Sequence, residues 1–240
     1  LTPLIAVLRY AARQKWCDVP MLERPEYDDR RRRWATPDEA DRMLAAIAQH
    51  ARPLVLFLML TGARVAEAIE LDWRDVDLAE HWAVLRFTKR TRSGGEKEDR
   101  GVRLHAQLVA VLANLPSTPG GERAGPVFLT NRGKPYTDRG RREGGQIKTA
   151  WNKALARTGI GDLHPHEMRH TCSTWLTAVG VHEQVRDEIV GHASTGMGRR
   201  YSHIPRPDLI AAVDKLADRG IGVDMQPRRI VKLKLGRKVA

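Results

Sequence analysis

The chain has 240 residues, 29% of them charged, with 41 Lys and Arg against 29 Asp and Glu and a formal net charge of +12. That length is enough for one large domain with a buried core, and the longest apolar run, residues 54–60, is far too short to span a bilayer. Two cysteines without CxxC spacing indicate neither a disulfide framework nor a thiolate zinc site, and both are expected as small buried residues in a reducing compartment. The positive surplus points to a polyanionic partner, nucleic acid before any other, because a field of that sign attracts and steers polyanions. Residues 1–10 lack a signal-peptide pattern, so a cytoplasmic protein with no membrane partner is expected.

Residues 1–16 are predicted as a short helix with Leu4, Val7, Leu8 and Ala11 on one face. Pro20, Pro25, Tyr27 and the arginines at 30–33 then form an exposed basic linker, and the start of the chain is expected to be the tail of an earlier domain. Thr36-Pro37-Asp38-Glu39 is a capping box with proline at the first helical position, followed by Ala40, Met43, Leu44 and Ile47 at core-facing spacing. A second helix over 53–60 is apolar all round and stops at Thr61-Gly62, where glycine can take the left-handed cap. A third covers 64–71. Residues 82–88 alternate as a strand and 101–104 return, giving a long-turned hairpin that carries Lys89, Arg90, Arg92 and Lys97.

Helices are predicted over 105–114 and 146–158, flanking a loop in which Pro126-Val127-Phe128-Leu129 is a short extended piece. Two more, over 165–179 and 182–190, end at Gly180 and Gly191. There is no internal repeat and no strand–helix alternation, so the fold class is mainly α with a small antiparallel β-sheet. The expected division is 1–33, 34–217 as the main domain, and 218–240 as a basic C-terminal tail. In that tail Val231, Leu233 and Leu235 alternate with Lys232 and Lys234, a pattern suited to a sheet edge or to a frayed end.

Chemistry concentrates around His164-Pro165-His166-Glu167-Met168-Arg169-His170. Pro165 suits a first helical turn, with Met168, Cys172, Trp175, Leu176 and Val179 on an apolar face. His166, Arg169 and His170 lie three and four apart on the other side. Such a cluster at a helix N-terminus suits a phosphate, because free backbone N–H groups add to the field. The same residues match HExxH, in which His166 and His170 would hold zinc and Glu167 would act as base, making the protein a zinc-dependent hydrolase. Against that stand the position of His166 at the helix start, the charge of Arg169 beside a dication, and the lack of an acidic third ligand downstream, where only His182 and His192 occur.

Three further segments complete the pattern: Thr61-Gly62-Ala63-Arg64-Val65-Ala66-Glu67, then Gly191-His192, then Arg199-Arg200-Tyr201-Ser202-His203. With TGxRxxE, a lysine hairpin, HxxRH, GH and a final tyrosine in order, residues 34–216 resemble the catalytic domain of the tyrosine recombinases, the phage integrase family. The resemblance implies site-specific cleavage and rejoining of double-stranded DNA through a 3′-phosphotyrosine, with neither cofactor nor metal. It also implies a homotetramer on DNA and a mobile-element role. By the same resemblance residues 1–33 are the remnant of a preceding DNA-clamping domain.

The roles it implies are Arg64 and Arg169 on the phosphate, Tyr201 as nucleophile, His166 as base, Lys89 as general acid and His192 as a phosphate donor. Glu67 orients the cluster, and His170 is a packed supporting residue. Read residue by residue, alternatives stand beside these. Arg64 could only pair with Glu67, Arg90, Arg92 or Lys97 could replace Lys89, and His192 could cap a helix. The chain as a whole could be a catalytically idle DNA-binding module. Tyr10, Tyr27 and Tyr136 read as ordinary amphipathic tyrosines.

Overall fold

The computed structural model describes residues 2–18, 33–86, 99–116, 122–137, 147–191 and 204–219, and the chain divides into two units, Leu1–Arg32 and Arg33–Ala240. In the first, helix α1 (Thr2–Arg13) leaves Leu4, Val7 and Tyr10 exposed. Tyr10 meets Trp16 edge-on at 6.0 Å. Cys17 is exposed here, contrary to its expected burial, while Cys172 is buried as expected.

The second unit opens on the capping box. Thr36 Oγ1 accepts the Glu39 N–H at 3.2 Å, and Glu39 Oε2 accepts the Thr36 N–H at 3.0 Å, starting α2 (Pro37–Ala46). Ala40, Met43 and Leu44 on this helix are buried. Thr36→Ala should lower the unfolding free energy by about 1 kcal/mol, measured as a shifted urea midpoint at unchanged slope, because one helix-start N–H loses its acceptor.

Helix α3 (Arg52–Thr61) is buried from Pro53 to its end. It is apolar all round and therefore sits in the middle of the domain. Packed around it are α2, α4 (Val65–Ile69), α5 (Ala106–Ala113) and α7 (Glu167–Ala178). Gly62 ends α3 at φ +62°, and a Cβ there would come within 2.7 Å of Val190 Cγ1. Both the left-handed turn and the close approach demand glycine. The helix α6 (Ile147–Thr158) packs on α2, and its Trp151 Nε1 donates to the Leu163 carbonyl at 2.7 Å.

The sheet is antiparallel in the order β1 (Val76–Asp77), β2 (Trp82–Leu85), β3 (Arg100–Arg103). The register pairs Trp82 with Arg103 and Leu85 with Arg100. The strand β1 went unpredicted, being two residues long and defined only by its pairing. Residues 126 and 129 contribute isolated bridges to Asp72 and Pro135 where an extended piece was expected. The hairpin turn, with Lys89, Arg90, Arg92 and Lys97, lies outside the described residues, as does the tail after residue 219.

Near the site, α7 starts later than predicted. Pro165 and His166 form the turn before it, with the Glu167, Met168 and Arg169 N–H groups each bonded three residues back. Met168, Cys172, Trp175 and Leu176 are buried as expected, but Val179 caps the helix and is 38% exposed. Helix α8 (Glu183–Val190) begins at His182, whose Nδ1 accepts the Gln184 N–H, and ends at Gly191 with φ +67°. A further helix, α9 (Arg206–Val213), was not predicted, although Ala212, Val213 and the following Leu216 are buried. Among the described residues no helix is long and apolar enough to cross a membrane.

Candidate active site

Arg64 is the N-cap residue of α4, placed there by the glycine turn that ends α3. Its backbone N–H donates to Glu67 Oε2 at 3.0 Å and its Nη1 to Glu67 Oε1 at 2.6 Å. The helix-start ion pair weighed as the plain reading of Arg64 is therefore present. It does not use the whole side chain, which is 38% exposed while the carboxylate of Glu67 is buried. Glu67 takes a second cation as well, Arg100 on β3, whose Nη2 lies 3.2 Å from Oε2.

Arg169 comes from the first turn of α7 but is not on a solvent face: it is 3% exposed. Its Nη1 donates to the Gly62 carbonyl and its Nη2 to the Gly191 carbonyl, both at 2.9 Å. One planar fork thus joins the end of α3 to the end of α8. Two of its five N–H donors are spent in this way, and the rest make no bond among the described residues. Burial first, then the charges of Arg64 and Arg100, pull the Arg169 guanidinium down to about 10, against the opposing pull of Glu67.

Burial alone would raise the Glu67 carboxyl. The Arg64 N–H bond, the Arg100 charge and the Arg64 side chain outweigh it and hold the group below its ordinary value. Cys172, also within the field of Arg100 and Arg169, is pushed up to about 12 by burial and stays a neutral thiol. Three guanidiniums around one carboxylate leave a positive surplus in a poorly solvated place. Such a surplus favours an anion beside it.

His166 stands at the N-cap of α7 and is exposed, with its ring centroid 5.6 Å from that of His170 at 84° between planes. Glu167 between them is occupied, accepting the His164 N–H. His182 is likewise spent as a helix cap. Among the described residues no group of three or more His, Cys, Asp and Glu is arranged to hold a metal ion.

The structure thus brings Arg64, Glu67 and Arg169 into one cluster and places His166 and His170 side by side on α7. Lys89, His192 and Tyr201 lie outside the described residues. Sequence reasoning missed Arg100. The signal was available in β3, where Arg100 shares the inward face with buried Val102 while Gly101 and Arg103 point the other way. A charge in register with a core residue calls for a buried partner.

Comparison with known proteins agrees with this architecture. The model of the phage integrase family matches residues 33–206. The integrase of Salmonella phage P22 is 31% identical over 211 residues, covering 83% of this chain and 51% of that protein. Tyrosine recombinase XerD of Bifidobacterium longum is 31% identical over 189 residues, covering 73% of this chain and 59% of that one. The chain therefore spans only about half the length of these relatives. Among solved structures, the integrase from mycobacterium phage Brujita has the same fold at a TM-score of 0.60 and 21% identity, over 89% of this chain and 69% of that one. With a mainly helical domain carrying a three-stranded antiparallel sheet, and a family match over most of its length, the chain belongs to the phage integrase family, the tyrosine recombinases.

Proposed function

We propose that this protein cleaves and rejoins double-stranded DNA at specific sites through a 3′-phosphotyrosine at Tyr201. The observation that carries the reading is the fork of Arg169, buried, pinned by two carbonyls and set beside Arg64 in a cluster with surplus positive charge. A guanidinium so fixed is shaped for the non-bridging oxygens of a phosphodiester. Held rigid before the reaction, it stabilises the charge that develops on those oxygens without reorganising.

The chemistry balances with the residues available. The Tyr201 oxygen attacks phosphorus and its proton passes to His166; a phenol with a pKa of about 10 needs such a base and neighbouring cations. The bond from phosphorus to the 5′-oxygen breaks, and Lys89 supplies the proton that makes a free 5′-hydroxyl. His192 donates to a phosphate oxygen, Glu67 orients Arg64, and His170 packs in support. The phosphotyrosine keeps the energy of the original bond, so the reverse attack by a 5′-hydroxyl reseals the strand without ATP. No step calls on a metal or cofactor.

The partner is duplex DNA, in keeping with the net charge of +12. Exchange between two duplexes requires four active subunits, so the working assembly is a homotetramer on DNA in the cytoplasm, at the nucleoid. Movement of a mobile element is the use that fits best. Residues 1–33 serve as the end of a DNA-clamping domain, 34–217 as the catalytic domain and 218–240 as a basic tail. The test is incubation of the protein with labelled, nicked duplex from its native locus in EDTA, followed by a denaturing gel. Protein-linked label formed at the same rate with and without EDTA is expected. Label that appears only on addition of a divalent metal would overturn the reading.

A further inference from the structure

Arg100 is a buried cation for which the reaction above has no role. It is 8% exposed, and both of its Nη atoms are committed inside the protein. The Nη2 donates to Glu67 Oε2 at 3.2 Å and Nη1 donates to the Ile189 carbonyl. Its aliphatic part runs against Gly191, where an added Cβ would fall 2.9 Å from Cδ and 2.8 Å from Nε. Strand β3 is thereby tied to two places at once, the carboxylate that orients Arg64 and the end of α8 that Arg169 also grips.

A salt bridge kept only for stability could be replaced by an apolar pair of the same shape at little cost. The pair here is different in that the carboxylate is shared. With Arg64 on Oε1 and Arg100 on Oε2, Glu67 cannot rotate, and Arg64 is left with part of its fork facing outward. Take Arg100 away and the full carboxylate charge falls on Arg64, which lowers the positive field where the phosphate binds. We infer that Arg100 is a positioning residue for phosphodiester cleavage: held in place by the Ile189 carbonyl, it locks the Glu67 carboxylate against Arg64, without itself reaching the phosphate. The inference rests on the strand-transfer reading above.

The charged and titratable groups facing Glu67 among the described residues are Arg64 at the start of α4, Arg100 on β3 and Arg169 on α7, with Cys172 behind them. Glu67 is the carboxyl of this set, the group that takes up a proton in acid. Arg100 helps to hold its carboxyl low. Losing that charge moves the protonation of Glu67, and the acid limb of activity with it, to higher pH.

The experiment follows the Glu67 carboxyl by carbon NMR without DNA, alongside single-turnover cleavage of nicked duplex as a function of pH. Arg100→Met should raise the Glu67 midpoint, move the acid limb the same way and slow cleavage by on the order of tenfold. Arg100→Lys should return the limb to its original position by restoring the charge. In a Glu67→Gln background Arg100→Met should cost less than about threefold, since the partner it acts through is gone. A neutral Arg100→Gln replaces the methionine variant if circular dichroism shows the latter unfolded. An unmoved Glu67 midpoint, or an equal cost with and without Glu67, overturns the inference. Should wild type give no covalent product, the strand-transfer reading falls, and the NMR titration still decides whether Arg100 governs Glu67.

Discussion

Tyr201→Phe should abolish the covalent protein–DNA product while leaving affinity for the intact duplex within about twofold at fixed salt. The substitution removes one oxygen and leaves the ring, so whatever the side chain contributes to folding or DNA contact stays nearly constant. What disappears is the oxygen that bonds to phosphorus in the proposed mechanism. A loss of at least about 10⁴-fold in single-turnover cleavage is the scale seen when a nucleophile is deleted from a site that is otherwise intact. Gel shift and denaturing gel on the same samples separate the two quantities. Tyr10→Phe and Tyr136→Phe should keep the covalent band, since Tyr10 lies on the exposed side of α1 and Tyr136 is buried in the core. A band persisting in the Tyr201 variant would move the nucleophile elsewhere.

Arg169→Ala should show the second largest effect, and it should appear in two measurements at once. Cleavage should fall by about 10³-fold, the cost of deleting a preorganised donor to developing charge. Stability should fall by about 2 to 3 kcal/mol, because the Gly62 and Gly191 carbonyls lose charge-assisted partners. Part of that loss is offset, since removal of the cation also relieves its repulsion with Arg64 and Arg100. Arg169→Lys should recover some stability but little rate, because one ammonium can satisfy one carbonyl and cannot present a fork.

The sign of the pH effect follows from the depressed guanidinium. The folded protein releases this proton at about 10, before the unfolded chain does, so above that pH the unfolded state holds more protons and stability rises. At neutral pH the cost of keeping Arg169 charged is carried in full. Wild type should therefore gain stability relative to Arg169→Ala as the pH climbs through about 10, which urea melts at several pH values would register.

Much of the helical framework was legible because its signals are local. The capping box at Thr36, the all-round apolarity of α3 and the glycine stops at Gly62 and Gly191 each need only a few neighbouring residues to be read. The features that escaped depend on distant partners. Strand β1 exists only through pairing with β2, and the apolar residues of α9 make no clear stripe. Pro165 looked helical because proline suits a first turn, yet it precedes α7 in a turn closed by three-residue bonds. At the site, Arg64 and Glu67 could be joined on paper because three residues separate them. Burial of Arg169 and Arg100 could not, since their partners lie 107 residues away at Gly62 and 89 residues away at Ile189.

The two carbonyls held by Arg169 also tie the order in which its anchors can form to the order of synthesis. Gly62 is made 107 residues before Arg169 and Gly191 is made 22 residues after it. Until the far end of α8 has left the ribosome and docked, the guanidinium has one anchor and no fixed aim. The fork therefore reaches its fixed geometry only when both helix ends are in place, long after its own residue has been made.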